Sequence, residues 1–156
     1  MTELDMEIND TIMREIGLEP DSKNRICDQD TGMRIQVNGM PVIKAGCYGG
    51  KNSMEFDPHN NRKLMNDLFG YFLNKYEDET GESIMSYYNV DDAKGKNKIE
   101  VKLDDETTIT SHSYKRDSLK YADVIMQMNG EDRNNIDLSK YDTDLPKGGV
   151  KGARKR

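Results

Sequence analysis

Residues 33–44 read MRIQVNGMPVIK, and this stretch decides the fold class. Asn38-Gly39 sits between two alternating apolar runs. A two-residue type I′ turn needs positive φ at both central positions, which Asn and Gly tolerate. The spacing therefore predicts a β-hairpin with Met33, Ile35, Val37, Met40 and Val42 on one face. Arg34 and Gln36 take the other. Pro41 lacks a backbone donor and argues for an edge strand.

Upstream, Ile8, Ile12 and Ile16 recur every four residues with Met13 beside them, which predicts a helix over about 3–16. Thr2 and Asp5 have the spacing of a capping box, and Gly17 with Pro20 forms a stop. Residues 21–32 read as polar turn material. Downstream, 45–54 (AGCYGGKNSM) is a glycine-rich loop. A second helix is predicted from Asp57-Pro58 to about Glu77 or Glu79, with Asp57 as N-cap. Its stripe of Leu64, Met65, Leu68, Phe69, Phe72, Leu73 and Tyr76 should centre the core.

Strands follow at Ile84–Val90 and at Lys98–Leu103, where Ile99, Val101 and Leu103 point inward. Residues 107–114 are β-prone. A third helix covers about Asp117–Met128. The pattern is α+β: about three helices packed on antiparallel hairpins. Residues 1–130 read as a single domain. Residues 131–156 read as an extended polar C-terminal arm with isolated anchors at Ile136, Leu138, Tyr141 and Leu145.

Composition narrows the class. Only 34% of the 156 residues are hydrophobic and 33% are charged, which suits a small core completed against neighbours. The last ten residues, KGGVKGARKR, hold five basic side chains and no acid. The first 146 hold 18 basic and 29 acidic residues, a net of −11 against +5. Lys147, Lys151, Arg154, Lys155 and Arg156 are thus the candidate partner-binding residues. An acidic body repels a polyanion, so a protein partner is preferred over weak nucleic-acid contact through this tail. The N-terminus has no secretory apolar core, and two cysteines make no disulfide framework; synthesis in a reducing cytoplasm is expected. No apolar run is long enough to span a membrane.

No catalytic or metal-binding motif is complete, and no cofactor is expected. Aligning Gly50-Lys51 with a phosphate-binding loop puts Ala45 where the first Gly belongs and Asn52 where a hydroxyl belongs. Glu100-Val101-Lys102 fits half of a metal-dependent nuclease signature, with Asp91 or Asp92 as the second carboxylate. Alternating charged and apolar residues are also what any half-exposed strand shows. His59 and His112 have no zinc-type spacing with Cys27 or Cys47. Asp28-Gln29-Asp30 reads as a turn, and Ser111-His112-Ser113 lacks the context of a nucleophilic serine.

The runs REIGLEPDS (14–22), DQDTGMRIQVNG (28–39), FDPHNNRKLMNDLFGYFLNKYE (56–77), SYYNV (86–90) and SYKRDSLKYADVI (113–125) resemble small proteins encoded in the structural-gene block of crAss-like bacteriophages. The resemblance spans about two thirds of the chain. It implies a non-enzymatic virion component of a tailed phage: a head–tail neck ring, or a capsid accessory protein. The implied partners are portal, neck or capsid subunits and further copies in a homo-oligomeric ring. A small nuclease and a regulatory protein that binds a host factor are the alternatives.

Overall fold

The computed structural model describes residues 2–91 and 95–143. Asn38 and Gly39 both take positive φ, 52° and 78°, as the tight turn requires. They join β3 (Gln36–Val37) to β4 (Met40–Ile43), with Val37 opposite Met40 and Gln36 opposite Pro41. Ile35, Val37 and Val42 are buried, and Arg34 and Gln36 are exposed. Met33 departs from the expected face and is 58% exposed. The alternation stops short of it because Arg34 already bridges Cys27, and the Met33 carbonyl turns to accept from Asp28 N–H. Pro41 does not mark an edge strand. β4 is central, flanked by β3 and by a parallel β5 (Met54–Glu55). β5 pairs only with Val42 and Ile43, so the missing Pro41 donor costs no ladder bond there.

Helix α1 (Glu3–Glu15) opens with the predicted capping box: Asp5 N–H donates to Thr2 Oγ1 at 3.0 Å and Thr2 N–H to Asp5 Oδ2 at 3.2 Å. The stretch 21–32 is not all turn. Its centre forms β2 (Ile26–Asp28), antiparallel to β1 (Leu18–Pro20), and Ile26 and Asp28 are both buried. Helix α2 runs Arg62–Thr80, starting later than Asp57. Asn61 is its N-cap, accepting from Leu64 N–H, while the Asp57 carbonyl closes a tight turn by accepting from Asn60 and Asn61 N–H. Pro58 and His59 are buried within that turn. The expected stripe from Leu64 to Leu73 is buried, and Gly81 ends the helix in the left-handed conformation, φ 76°.

Strands β6 (Ile84–Asp91), β7 (Asn97–Leu103) and β8 (Thr108–Thr110) form an antiparallel sheet in that order, and helix α3 (Asp117–Met128) packs on it. The architecture is α+β, with three α-helices and three small sheets among the described residues.

Residues 131–143 do not leave the body. Ile136 and Leu138 are buried in the same core as the three helices, and Tyr141 packs against it. Two short 3-10 turns, Arg133–Asn135 and Ser139–Tyr141, carry the segment back over the sheet and α1. Asp142 then accepts from the backbone N–H groups of Lys115 and Arg116 at 3.0 Å, at the mouth of α3, whose own N-cap has no side-chain bond. The domain therefore extends past residue 130. Leu145 and the rest of the arm lie outside the described residues.

Candidate protein–protein interface

The register of the β6–β7–β8 sheet sorts its side chains onto two faces. Ile99, Val101 and Leu103 of β7 are buried under the helices, as alternation predicted. Their β6 partners on that inner face are Asn89, Tyr87 and Ile84. The outer face carries Ser86, Tyr88 and Val90 beside Lys102, Glu100 and Lys98, with Thr108 and Thr110 beyond. It is a polar face with mixed charges.

The edge is different. β6 is the outermost strand, eight residues long, and among the described residues nothing pairs with its outer side. Met85, Tyr87 and Tyr88 are 64%, 51% and 48% exposed, three of the largest exposed apolar groups. Tyr87 is nevertheless fixed: its ring meets Phe69 edge-on at 5.2 Å, and Phe69 in turn meets Tyr121 at 4.7 Å. Tyr88 Oη donates to Glu100 at 3.3 Å. From Ser83 to Val90 the chain has no charge and no proline, in a sequence that is 33% charged. Edge strands normally carry lysine, proline or inward charge to prevent pairing. Here only a bulge between Ile84 and Ser86 interrupts the ladder, and Ser86–Asp91 is regular.

The opposite edge is occupied at its Thr110 end. Arg133 Nε donates to the Thr110 carbonyl at 2.8 Å, and Gln127 Nε2 to the same oxygen at 2.9 Å. Arg133 Nη2 also reaches the Ser111 carbonyl. Gln127 is held by Asp123, a carboxylate with no exposed surface that also accepts from Tyr114 Oη at 3.0 Å and from the His112 backbone N–H. Its contact with His112 Nδ1 is 2.9 Å. Burial, then the neighbouring Asp123 charge, pushes the Tyr114 phenol well above its ordinary range, so it stays a donor. Lys120, equally buried, is neutralised by Asp117 and donates to Asn89 and Asn97, which pins β6 and β7 onto α3.

The candidate chemical residues do not converge. Glu100 and Lys102 lie on the outer sheet face, whereas Asp91 has the opposite parity and accepts from Asn97. Asp92 is outside the described residues. Lys51 and its glycines lead into β5, and α2 begins only at Arg62, so the loop does not run into a helix N-terminus as a phosphate-binding loop does. Gly49 has a packing reason instead, since a Cβ there would collide with Ile43. His59 contacts Ser118 and His112 contacts Asp123, in separate clusters, and neither joins Cys27 or Cys47. Ser111 Oγ is buried, accepting from Ile99 N–H and donating to the His112 carbonyl, so it is a structural brace. Glu82, Asp104 and Asp105 are the one acidic trio close enough to share an ion among the described residues, and they are largely exposed.

A cavity of about 410 Å³ lies between α2 and the ends of α1 and α3, lined in part by Ile16, Asp28, Asp30, Lys75 and Asn129. Its buried carboxylate and the lysine beside it are already paired. Lys75 Nζ sits 3.0 Å from Asp28 and 3.3 Å from Asp30, filling the place a cation would take. Burial works to raise the Asp28 pKa, but bonds from Tyr71 Oη (2.6 Å), Lys75 and Asp30 N–H outweigh it and hold the carboxyl below its usual range. Asn129 Nδ2 closes the rim by donating to the Ile16 carbonyl.

The five basic residues Lys147, Lys151, Arg154, Lys155 and Arg156 lie outside the described residues. The β6 edge was not singled out from sequence as an interface. The signal available was the uncharged run over 83–90. Among the described residues no helix is long and apolar enough to cross a membrane. Comparison with protein-family models, with curated proteins and with solved structures finds no match to this chain.

Proposed function

We propose that this chain is a non-enzymatic structural subunit that works by assembling with other proteins, in the virion of a tailed phage and foremost as a ring protein of the head–tail neck. The observation that carries the assembly reading is the uncharged β6 edge, unpaired among the described residues, with Met85, Tyr87 and Tyr88 exposed along it. Main-chain groups on such an edge supply affinity and the flanking side chains supply register. The virion placement comes from the resemblance of residues 14–22, 28–39, 56–77, 86–90 and 113–125 to crAss-like phage proteins. The tail residues Lys147, Lys151, Arg154, Lys155 and Arg156 add a second contact, suited by charge to an acidic neighbour.

Co-expression with candidate portal, neck and capsid subunits tests this. The expected result is co-purification in a complex well above the 17.9 kDa of the single chain, weakened when residues 147–156 are removed. Capture of one host protein and no virion subunit would favour the regulatory alternative. Cleavage of plasmid DNA with Mg²⁺ or Mn²⁺, abolished by Lys102→Ala, would make the chain a nuclease and overturn the reading.

A further inference from the structure

We infer that the β6 edge receives a second copy of this chain, β6 pairing antiparallel with its own counterpart about a two-fold axis at Tyr88. The inference names the partner of the edge on which the proposed function rests. Three features select this occupant. First, among the described residues the sheet offers one open edge, because Arg133 and Gln127 occupy the carbonyl of Thr110 on the other. A β6 strand laid head-to-tail on β8 would have to displace both of those bonds. Two copies that join their sheets without that loss meet edge to identical edge, which is a two-fold contact.

Second, the bulge at Met85 limits regular pairing to Ser86–Asp91, and the uncharged part of that run, Ser86–Val90, is centred on Tyr88. Antiparallel pairing about Tyr88 sets Tyr87 opposite Asn89 of the second copy and Ser86 opposite Val90. Charge enters only at Asp91, which falls opposite Met85. No like charges meet, whereas parallel pairing would stack Asp91 on Asp91. Third, an axis perpendicular to the sheet keeps inner face beside inner face. Tyr88 then meets its own counterpart on the outer face, an aromatic pair directly across the strands.

Sedimentation velocity of the full chain over a range of concentrations is the test. The expected behaviour is a monomer–dimer equilibrium that strengthens with added salt, because the bodies carry −11 over residues 1–146 and repel. Tyr88→Lys and Tyr88→Glu should each weaken dimerisation at least ten-fold by setting like charges opposite each other. Tyr88 is half-exposed, and unchanged thermal melts would show that the fold survives. An equimolar mixture of the two variants should recover the dimer, which only pairing about position 88 produces. A wild-type chain that is monomeric throughout, or a dimer indifferent to both variants, overturns the inference. So does a monomer that dimerises only after residues 147–156 are removed, since the chain's own tail would then be the occupant. A monomer that still loses virion partners on Tyr88→Lys would leave the assembly reading standing without self-pairing. A dimer that captures no virion subunit would do the reverse.

Discussion

Arg133 Nε donates to the carbonyl oxygen of Thr110 across 2.8 Å, and with Gln127 on the same oxygen this bond helps to make the two edges of the β6–β7–β8 sheet unequal. Removing it with Arg133→Ala should cost only about 1 kcal/mol, since Gln127 still reaches the same oxygen. The sharper readout is amide exchange. Protection should fall along β8 and stay unchanged along β4. Equal loss in both strands would mean that Arg133 supports the whole domain and not the edge.

His59 makes stability depend on pH. Burial, then the Arg116 guanidinium, holds its imidazole neutral and lowers its pKa from 6.5 to about 4, against the opposing pull of Asp5, Asp57 and Asp142. Between those values the unfolded chain binds the proton and the folded chain does not. The sign is therefore destabilising on acidification. The full stability is present above pH 6.5 and falls as pH drops towards 4, by up to about 3 kcal/mol. Among the described residues Nε2 has no partner, and Nδ1 contacts Ser118 at 2.8 Å, so His59→Gln should remove most of this slope. Denaturant midpoints of both proteins at pH 4.5 and 7.5 give the comparison, and parallel pH dependences would exclude His59 as the cause.

Asp28 is 1% exposed and carries Lys75, Tyr71 and a backbone N–H. Asp28→Ala leaves all three without their acceptor, and the expected loss is about 3 kcal/mol in urea unfolding. Lys75→Met should cost less, because Tyr71 and Asp30 N–H still serve the carboxylate. An equal or greater loss for Lys75→Met would show that the ion pair dominates over the hydrogen bonds.

The segment after α3 is expected to be indispensable. Ile136→Ala and Leu138→Ala should each cost about 2–4 kcal/mol as buried large-to-small changes. Truncation after Gly130 should give a chain that unfolds without a cooperative transition. A truncated protein with an intact melt would restore the shorter domain that the sequence suggested.

How legible was this fold? Periodic elements were. The Asn38-Gly39 turn, the capping box of Thr2 and Asp5, the inward triplet of β7 and the span of α3 all follow from local rules that the surrounding structure does not override. What was hidden depends on distant partners. The burial of Asp28 needs Tyr71 and Lys75, 43 and 47 positions away, so the segment around it looked like a turn. Asp57-Pro58 has the chemistry of a helix start, yet Asn9 takes the Asp57 carboxylate and the helix waits for Asn61. Ile136 and Leu138 were legible as anchors in a polar stretch, but not the core that they reach. The β6 strand itself was legible, but its position at the edge is a property of the sheet.

The bond from Asn129 Nδ2 to the Ile16 carbonyl spans 113 positions of sequence. It joins the last turn of the first helix to the cap of the last one, and Leu138 enters the same core later still. The consequence lies in time. A chain made from its N-terminus has α1, the hairpin and α2 long before the residues that seal them. Such long-range closure slows folding. The β6 edge is thus synthesised well before its own domain is complete.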